Sequence, residues 1–309
     1  MRVLRKLFVC FSLSFIFLFT ACVSRPQFSP EDEAALYPAS SYIPAAFEWE
    51  EVCPGISRFD FKNKEFPIIY HAVKIDLALA GPDLTLDCFP NRTTVPRDFS
   101  IDRGALTFRG MRTKTFAKRS RSTVALNLSP FSGKKGQWDL LAKLGSTRQI
   151  VGLHVADGQL ISAPVSQYSA IAFKKEKDSS GREEWRAVIE KNQSQEMAAA
   201  YDYAFGGFYV VLENGRLCDF SFRNHDSRTG LGLAEDGKLL YILVVEGEFP
   251  WQSEGLSFQQ CGEIFLAMGC SDAIEMDGGG SSELCINGRS VLSYGVGRYQ
   301  ANSLGFKVK

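Results

Sequence analysis

The sequence predicts an α+β fold: one strand-rich domain with a mixed β-sheet, several hairpins and a few flanking helices. Apolar runs of strand length recur from residue 67 onward, and Asn-Gly or Asp-Gly pairs, which favour tight hairpin turns, separate several of them. One segment after residue 256 instead repeats its apolar residues at helical spacing. With 309 residues, 45% of them hydrophobic, the chain is long enough to bury one large core.

The N-terminus is typical of an export signal. A basic start precedes an apolar run over residues 7–20, which is short for a membrane span. Ala21-Cys22 then resembles a bacterial lipobox, although Phe19 is not the usual residue three positions before the cysteine. We therefore expect residues 1–21 to be a lipoprotein signal peptide and Cys22 to carry the lipid that anchors the exported protein to a bacterial membrane. The alternatives are an ordinary signal peptide and an uncleaved anchor.

Residues 22–50 contain several prolines and show no clear period, which predicts a tether ahead of a domain over residues 51–309. Export would permit up to three disulfides among the six remaining cysteines, and the alternative is that several are buried free thiols. No pairing is predicted, and the absence of a CxxC spacing argues against a zinc site. These cysteines are Cys53, Cys88, Cys218, Cys261, Cys270 and Cys285.

The first half of the domain shows a strand, turn and strand followed by a helix and another strand. Residues 68–77 and 84–89 are rich in strand-forming residues, and residues 81–83 form the turn between them. Residues 115–121 could form a short helix. Residues 122–128 then predict a strand that ends at Asn127.

The second half contains hairpins and one well-marked helix. The run 208–212 turns at Asn214-Gly215, and the run 231–234 turns at Asp236-Gly237 into the apolar run 239–245, which predicts a strand buried on both faces.

Ser257 and Gln260 form a capping-box pattern at the start of the helix, and Gly269 lies where its C-cap belongs. A short strand over 273–276 and a hairpin over 286–291 follow.

A carboxylate directly before three glycines is the most distinctive motif. Asp277 is followed by Gly278, Gly279, Gly280, Ser281 and Ser282. Glycines let a ligand approach the backbone, and successive free N–H groups can bind an anion. The carboxylate could act as acid, base or nucleophile, or ligate a cation. The alternative is a cap for a tight turn.

Four segments together resemble the phosphodiester glycosidase family: residues 114–131, 205–216, 228–247 and 255–306. The resemblance covers about residues 65–309 and is most specific in the last segment, which contains the glycine motif. It implies a hydrolase that cleaves the glycosidic bond of a sugar-1-phosphodiester, such as an N-acetylglucosamine-1-phosphodiester, in the cell envelope or on scavenged glycans. Glycoside cleavage passes through a cationic transition state that two carboxylates usually serve.

The resemblance also implies roles for single residues. Asp277 is the first carboxylate, as nucleophile, base or electrostatic stabiliser, and Glu246 is the second, where the family usually has Asp. Arg228 and Arg298 are candidates for the phosphate, because the planar guanidinium can bind two phosphate oxygens. Asn127 would hydrogen-bond the sugar or orient a carboxylate.

Three further residues are weaker candidates. Glu275 precedes Asp277 by two positions, so in a strand the two side chains would lie on the same side. Two carboxylates so close together would raise the pKa of one of them or hold a metal ion between them. His225 and the late Asn302 could also belong to the site. The sequence requires no cofactor, although a divalent cation remains an option.

The net charge of the chain helps to predict its binding partners. The 35 basic and 35 acidic side chains give no net charge, which argues against a nucleic-acid partner. The expected partners are a glycan or sugar phosphodiester and, through the lipid anchor, a membrane. The alternative function is a non-catalytic carbohydrate-binding envelope lipoprotein of the same fold.

Overall fold

The structure, a computed structural model, describes residues 27–79, 83–94, 107–133, 147–221, 223–294 and 297–309. The predicted signal peptide and Cys22 lie outside this part of the chain. No helix within these residues combines the length and the apolar character that a membrane crossing needs.

The predicted α+β class is confirmed, because strands dominate and helices are few. The helices in the described residues are α1 (Pro30–Leu36), α2 (Thr113–Ser120), α3 (Met197–Ala200) and α4 (Phe258–Ala267). The strands there are β1 (Gln27–Phe28), β2 (Glu50–Cys53), β3 (Ile56–Asn63), β4 (Ile68–Asp76), β5 (Leu84–Phe89), β6 (Thr107–Arg109), β7 (Val124–Asn127), β8 (Phe131–Gly133), β9 (Thr147–Ile150), β10 (His154–Ala156), β11 (Gln159–Ser162), β12 (Ala170–Lys177), β13 (Glu183–Glu190), β14 (Tyr203–Gly206), β15 (Val210–Glu213), β16 (Arg216–Leu217), β17 (Arg223–Asn224), β18 (Arg228–Ala234), β19 (Leu239–Val245), β20 (Asp272–Glu275), β21 (Leu284–Ile286), β22 (Arg289–Ser290) and β23 (Ser303–Val308).

Three sheets make up most of the domain. The largest has eight strands in the order β16-β15-β20-β18-β19-β4-β3-β2, and two five-stranded sheets have the orders β22-β21-β7-β23-β5 and β11-β10-β14-β12-β13. Two small sheets, β6-β9-β8 and β1-β17, complete the set in the described residues. The sheets differ from the predicted mixed sheet, since every pairing in the described chain is antiparallel. Short hairpin connections permit antiparallel pairing, whereas parallel neighbours need long crossovers.

The strand β19 is buried on both faces, as the sequence predicts. Ile242 and Val244 point to one face and join an apolar cluster shared with the two five-stranded sheets. Leu243 and Val245 point to the other face and pack in a cluster with α4 and the N-terminal segment. The eight-stranded sheet is therefore the central layer, and the alternation of side chains along a strand assigns each residue to one of the two cores.

Local sequence signals located several of the elements. The strands β4, β5 and β7 and the helix α2 lie at the predicted positions, although the turn before β5 falls partly outside the described residues. The Ser257 hydroxyl accepts from the Gln260 N–H, and the Gln260 side chain accepts from the Ser257 N–H, so the capping box is present. Gly269, just after α4, has φ +90°, in the left-handed region that favours glycine.

Residues 27–50 correct the predicted tether. The helix α1 lies here, and its Glu33 is buried and pairs with Arg223 and His225. Tyr42 is also buried and packs in the α4 cluster. The proline content suggested a spacer, but these aromatic and charged side chains find partners on the domain surface, so this part of the segment belongs to the folded unit.

The sheet between residues 154 and 206 was not predicted. Its strands β12 and β13 pair over their full length, with Ala170 opposite Glu190 and Lys177 opposite Glu183. The six cysteines after Cys22 are all free thiols, and four of them are buried. Of the two alternatives, the structure thus has the buried free thiols.

Candidate active site at the glycine loop

The glycine loop, residues 277–282, lies between the eight-stranded sheet and the sheet that contains β7. It leaves the end of β20 and leads into β21. The Asp277 N–H donates to the Leu128 carbonyl at 2.8 Å. Asn127 Nδ2 donates to the Asp277 carbonyl at 2.7 Å. The loop is therefore held at the point where β7 ends.

Two of the glycines are required by the local geometry. Gly279 has φ +57°, which side chains rarely adopt. A Cβ on Gly280 would lie 2.5 Å from Nη2 of Arg298, so only glycine lets the guanidinium approach the loop. The predicted anion-binding N–H groups are partly used within the fold, since Gly279 donates to the Ser227 carbonyl and Ser282 to the Gly279 carbonyl.

Asp277 is half-buried at the start of this loop. Burial raises the pKa of its carboxyl to about 6, and the nearby Asp226 adds to the rise. The Ser281 hydroxyl, the Arg298 charge and the Gly278 N–H oppose the increase. The Asp277 carboxylate thus has one cation and two hydrogen-bond donors beside it and titrates close to neutral pH.

A cavity of about 470 Å³ opens beside the loop. Its walls combine carboxyl, hydroxyl and amide groups with two aromatic rings. The lining residues are Glu248, Phe249, Gln252, Gly280, Ser282, Glu283, Ser293, Tyr294 and Gly297. Ser282 is 3% exposed, and within the described chain its hydroxyl makes no hydrogen bond. A buried hydroxyl without a partner at a cavity wall is available to a ligand.

Glu246 lies behind this wall. Its Oε1 accepts from His71 Nε2 at 2.9 Å and from the Ser293 N–H at 2.8 Å, and its Oε2 accepts from the Ser293 hydroxyl. Burial alone would raise the pKa of Glu246, but the bonds from His71 and Ser293 lower it. The predicted second catalytic carboxylate is therefore ionised, and donors from the protein already engage both of its oxygens.

His71 and Asp60 are site-supporting residues that the sequence analysis missed. They face each other across β3 and β4, and Asp60 Oδ1 lies 2.6 Å from His71 Nδ1. Burial would lower the pKa of His71, but the hydrogen bonds to Asp60 and Glu246 raise it. The sequence signal for His71 was a histidine within an apolar strand. Only the pairing register of β3 with β4 and of β4 with β19 shows which carboxylates flank it.

Arg228 and Glu275 lie on the opposite face of the central sheet from the cavity, toward α4. The Arg228 guanidinium stacks 4.1 Å from the Phe258 ring centroid, and its Nε donates to the Leu256 carbonyl at 2.9 Å. Burial raises the pKa of Glu275 to about 8, while Arg228 and the Cys261 thiol lower it. The expected place of Arg228 at a phosphate is thus corrected, because its side chain points into the α4 core.

The expected pairing of Glu275 with Asp277 is corrected as well. The strand β20 ends at Glu275, so the alternation rule does not extend to Asp277 in the loop. Neither carboxylate is among the charges that shift the pKa of the other. No group of three or more His, Cys, Asp or Glu side chains in the described residues is placed to hold a metal ion.

Three other candidates have structural partners. Asn127 Oδ1 accepts from the Thr229 hydroxyl and from the Glu283 N–H, both at 2.9 Å, so its amide holds the loop. Asn302 is fully buried and bonds to Ser129 and His154 rather than facing the cavity.

His225 is buried, and its Nε2 lies 3.0 Å from Glu33 Oε1. It therefore belongs to the contact with the N-terminal segment, where Phe28 and Tyr37 pack against its ring.

Glu283 is the cavity carboxyl that the sequence analysis missed. It follows Ser282, is 2% exposed and lies on the cavity wall. Burial raises the pKa of Glu283 despite donors from Ser290 and Cys285. A carboxylate directly after the two serines was visible in the sequence, but the strand-like run that follows suggested only a hairpin.

Comparisons with known proteins agree with the fold. Residues 123–307 match the model of the phosphodiester glycosidase family. The SPbeta prophage-derived uncharacterized protein YomE of Bacillus subtilis (strain 168) is 26% identical over 200 residues, 62% of this chain and 28% of that protein. The chain thus spans less than a third of that relative's length.

Two solved structures share the fold. The catalytic domain of zebrafish N-acetylglucosamine-1-phosphodiester alpha-N-acetylglucosaminidase, auto-inhibited by its pro-peptide, matches 93% of this chain and 89% of its own, with TM-score 0.54 and 14% identity. A hypothetical protein from Synechocystis matches 82% of this chain and 62% of its own, with TM-score 0.56 and 13% identity. The family model covers more than half of the chain, and on that ground this protein belongs to the phosphodiester glycosidase family.

Proposed function

We propose that this protein is a hydrolase that cleaves the glycosidic bond of a sugar-1-phosphodiester, with an N-acetylglucosamine-1-phosphodiester-like compound as the substrate class. The observation that carries the proposal is the placement of Asp277 and Arg298 together at a glycine loop that borders a cavity. Family membership supports the same reaction type.

Asp277 suits the role of general base. A carboxyl with a pKa of about 6 is mostly ionised at pH 7 and is still a stronger base than an ordinary aspartate. It can take a proton from a water molecule that attacks the anomeric carbon. Its negative charge also stabilises the cationic sugar of the transition state.

Arg298 suits the phosphate. A phosphodiester carries one negative charge, and a single guanidinium can neutralise it while donating two hydrogen bonds. A Cβ on Gly280, which lines the cavity, would lie 2.5 Å from Arg298 Nη2 and 3.1 Å from Glu248 Oε2, so the cation is close to this part of the wall. Ser282, whose hydroxyl makes no hydrogen bond within the described chain, lines the same cavity. This pair of donors replaces the predicted pair of arginines, because Arg228 points the other way.

The remaining wall suits a sugar. Phe249 and Tyr294 line the cavity with their ring centroids 5.4 Å apart, and Gln252 adds an amide group to the lining. Aromatic rings contact the apolar face of a sugar, and amide and carboxylate groups bond its hydroxyls. Together with the lipid anchor proposed at Cys22, this would place the enzyme at the cell envelope.

The second candidate is a carbohydrate-binding lipoprotein without catalytic activity. It is favoured by one observation: both oxygens of Glu246 are engaged by His71 and Ser293, so the second carboxylate expected from the family resemblance is not free. Such a protein would bind a glycan in the same cavity without cleaving it.

Sugar release separates the two functions. The protein and its Asp277→Asn variant are incubated with a panel of sugar-1-phosphodiesters, with and without a chelator. We expect the wild-type protein to release free sugar and Asp277→Asn to lose at least about a hundredfold in kcat while it still binds, because an amide cannot accept the proton.

Asp236→Asn is the matched control, since Asp236 lies in a distant turn with φ +52°, which asparagine also tolerates. Loss of turnover on chelation would add a metal ion to the site. Saturable glycan binding without any release by the wild-type protein would favour the binding lipoprotein.

A further inference from the structure

We propose that the Glu283 carboxyl is the proton donor of the reaction and contacts the leaving phosphate oxygen through Oε2; this inference rests on the proposed function. It assigns a second catalytic residue in place of Glu246, from an observation that the sequence motifs do not contain. The argument starts from the two oxygens of Glu283, which have different surroundings.

One oxygen of the Glu283 carboxyl is hydrogen-bonded, and the other lies against Gly297, which lines the cavity. Oε1 accepts from the Ser290 hydroxyl and lies 3.7 Å from the Cys285 sulfur. Within the described chain Oε2 has no hydrogen-bond partner, and it lies 2.1 Å from the point where a Cβ on Gly297 would be. Gly297 and Glu283 both line the cavity. The missing side chain at Gly297 thus makes room for Oε2 at the wall that a substrate would contact.

The side-chain amide of Asn127 connects the backbone of Glu283 to that of Asp277. Asn127 Oδ1 accepts from the Glu283 N–H at 2.9 Å, and Asn127 Nδ2 donates to the Asp277 carbonyl at 2.7 Å. One buried amide therefore fixes the start and the end of the loop. A shared brace of this kind keeps two catalytic groups in a constant relation, which acid and base catalysis on one bond requires.

The protonation state agrees with a donor. Burial raises the pKa of Glu283, while Ser290, Cys285 and the charge of Lys114 on α2 lower it. Glu246, in contrast, has its pKa lowered and both oxygens occupied. Of these two buried carboxyls, Glu283 is the one whose pKa is raised, which favours the protonated form, and the one with an oxygen beside a glycine that lines the cavity.

The step balances without any co-reactant except water. The C1–O bond of the sugar-1-phosphodiester breaks, and its electron pair stays on the phosphate oxygen. Glu283 transfers its proton to that oxygen, water adds to C1, and Asp277 takes a proton from the water. The products are a free sugar and a phosphomonoester. Exchange with solvent then returns a proton to Glu283 and removes one from Asp277.

The test uses the full-length protein and its Glu283→Gln variant, with Glu184→Gln as the control. Glu184 is also buried, but its partner is Lys238, and it lies on β13 away from the cavity. The probes are the methyl ester of N-acetylglucosamine 1-phosphate and 2,4-dinitrophenyl N-acetylglucosaminide, whose leaving group departs without a proton. Steady-state kinetics are measured across pH for all proteins, and thermal unfolding confirms that each is folded.

We expect Glu283→Gln to lower kcat on the phosphodiester by roughly a hundredfold or more, with little change in KM and with loss of the fall in rate at alkaline pH. The dinitrophenyl substrate should lose far less. Gly297→Ala, whose methyl would displace Oε2, should reproduce the selective loss if Glu283→Gln does not fold.

The outcomes separate the two proposals. Wild-type turnover of the phosphodiester combined with equal rates for Glu283→Gln and Glu184→Gln would overturn the role of Glu283 and leave the proposed function standing. An equal loss on both substrates would also overturn the proton-donor role, since it would point to positioning. A wild-type protein that cleaves neither substrate would overturn the proposed function, and this inference with it.

Discussion

The buried carboxyl groups of this protein have different pKa values mainly because each has different charged and hydrogen-bonding neighbours. Glu246 is buried, yet hydrogen bonds from His71 and Ser293 lower its pKa and keep it ionised. Asp277 has weaker compensation and titrates at about 6. Glu275 has only Arg228 and a thiol against its burial and titrates at about 8. Groups with separated pKa values can then serve as base, acid and structural anion at one pH.

Glu275→Gln should flatten the dependence of stability on pH. The folded pKa of Glu275, about 8, lies above its ordinary value, so its stabilising effect is complete below about pH 4.5 and is lost as pH rises through 8. The wild-type protein should therefore lose on the order of a few kcal/mol between these limits. Denaturant unfolding at pH 5 and pH 9 measures the difference.

The comparison must be made as variant against wild type, because the pKa of Asp277, about 6, also lies in this range. Neither oxygen of Glu275 makes a hydrogen bond of normal geometry within the described chain, so the change to an amide removes little besides the ionisable group. If the two proteins lose the same free energy of unfolding from pH 5 to pH 9, Glu275 is not protonated in the folded state.

Asp60→Asn should lower the pKa of His71, since it removes one of the two carboxylates that flank the ring. The chain has 3 histidines, so NMR titration can follow each imidazole separately. His154 serves as the internal control, because burial lowers its pKa to about 4 and it does not contact Asp60. An unchanged His71 titration would show that Glu246 alone sets its charge.

Sequence signals predicted residues best where the signal was local. Asp277 was identified because its neighbours along the chain impose the loop. Arg228 was assigned to the phosphate, but the sequence could not show which face of β18 borders the cavity. Thr229, one position later, is the side chain that points toward Asn127. Glu283 escaped notice because its role depends on Gly297, which approaches it only in the folded chain.

At the scale of elements, the segment between β19 and α4 forms one side of the cavity. Phe249 lines the cavity. The ring centroids of Trp251 and Phe249 are 5.0 Å apart, and Trp251 is 74% exposed. An Asp-Gly turn and a capping box predicted the flanking β19 and α4, since these signals act within a few residues. The position of this segment opposite Gly280 depends on the sheet order and had no local signal.

Trp251→Ala should raise KM for a sugar-1-phosphodiester by roughly fivefold and leave kcat within about a factor of three, because one exposed aromatic contact is worth about 1 kcal/mol. A large exposed ring beside a cavity suits a second sugar or the group attached to the phosphate. Leu266→Ala is the control, since Leu266 is exposed on α4 away from the cavity. A fall in kcat without a change in KM would assign Trp251 to loop positioning instead.

At the scale of the whole molecule, the N-terminal segment completes the core beneath the central sheet. The Tyr70 hydroxyl donates to the Tyr42 carbonyl at 3.0 Å, and β1 pairs with β17. Proline content suggested a tether because composition reports local stiffness, whereas docking depends on partners nearly two hundred residues away. The family model begins at residue 123, so it also leaves this segment out.

Glu33→Ala should lower the free energy of unfolding by roughly 3 kcal/mol, because it removes the buried carboxylate that pairs with His225 and Arg223 and leaves Arg223 only the exposed Asp219. Glu31→Ala is the matched control: it removes a carboxylate from the same helix, but Glu31 is exposed. Denaturant unfolding at pH 7 of all three proteins measures the loss. Equal stability of Glu33→Ala and Glu31→Ala would mean that the segment does not dock in solution. A selective loss would show that residues 27–42 fold as part of the domain, because a buried ion pair across this contact forms only when the segment is docked.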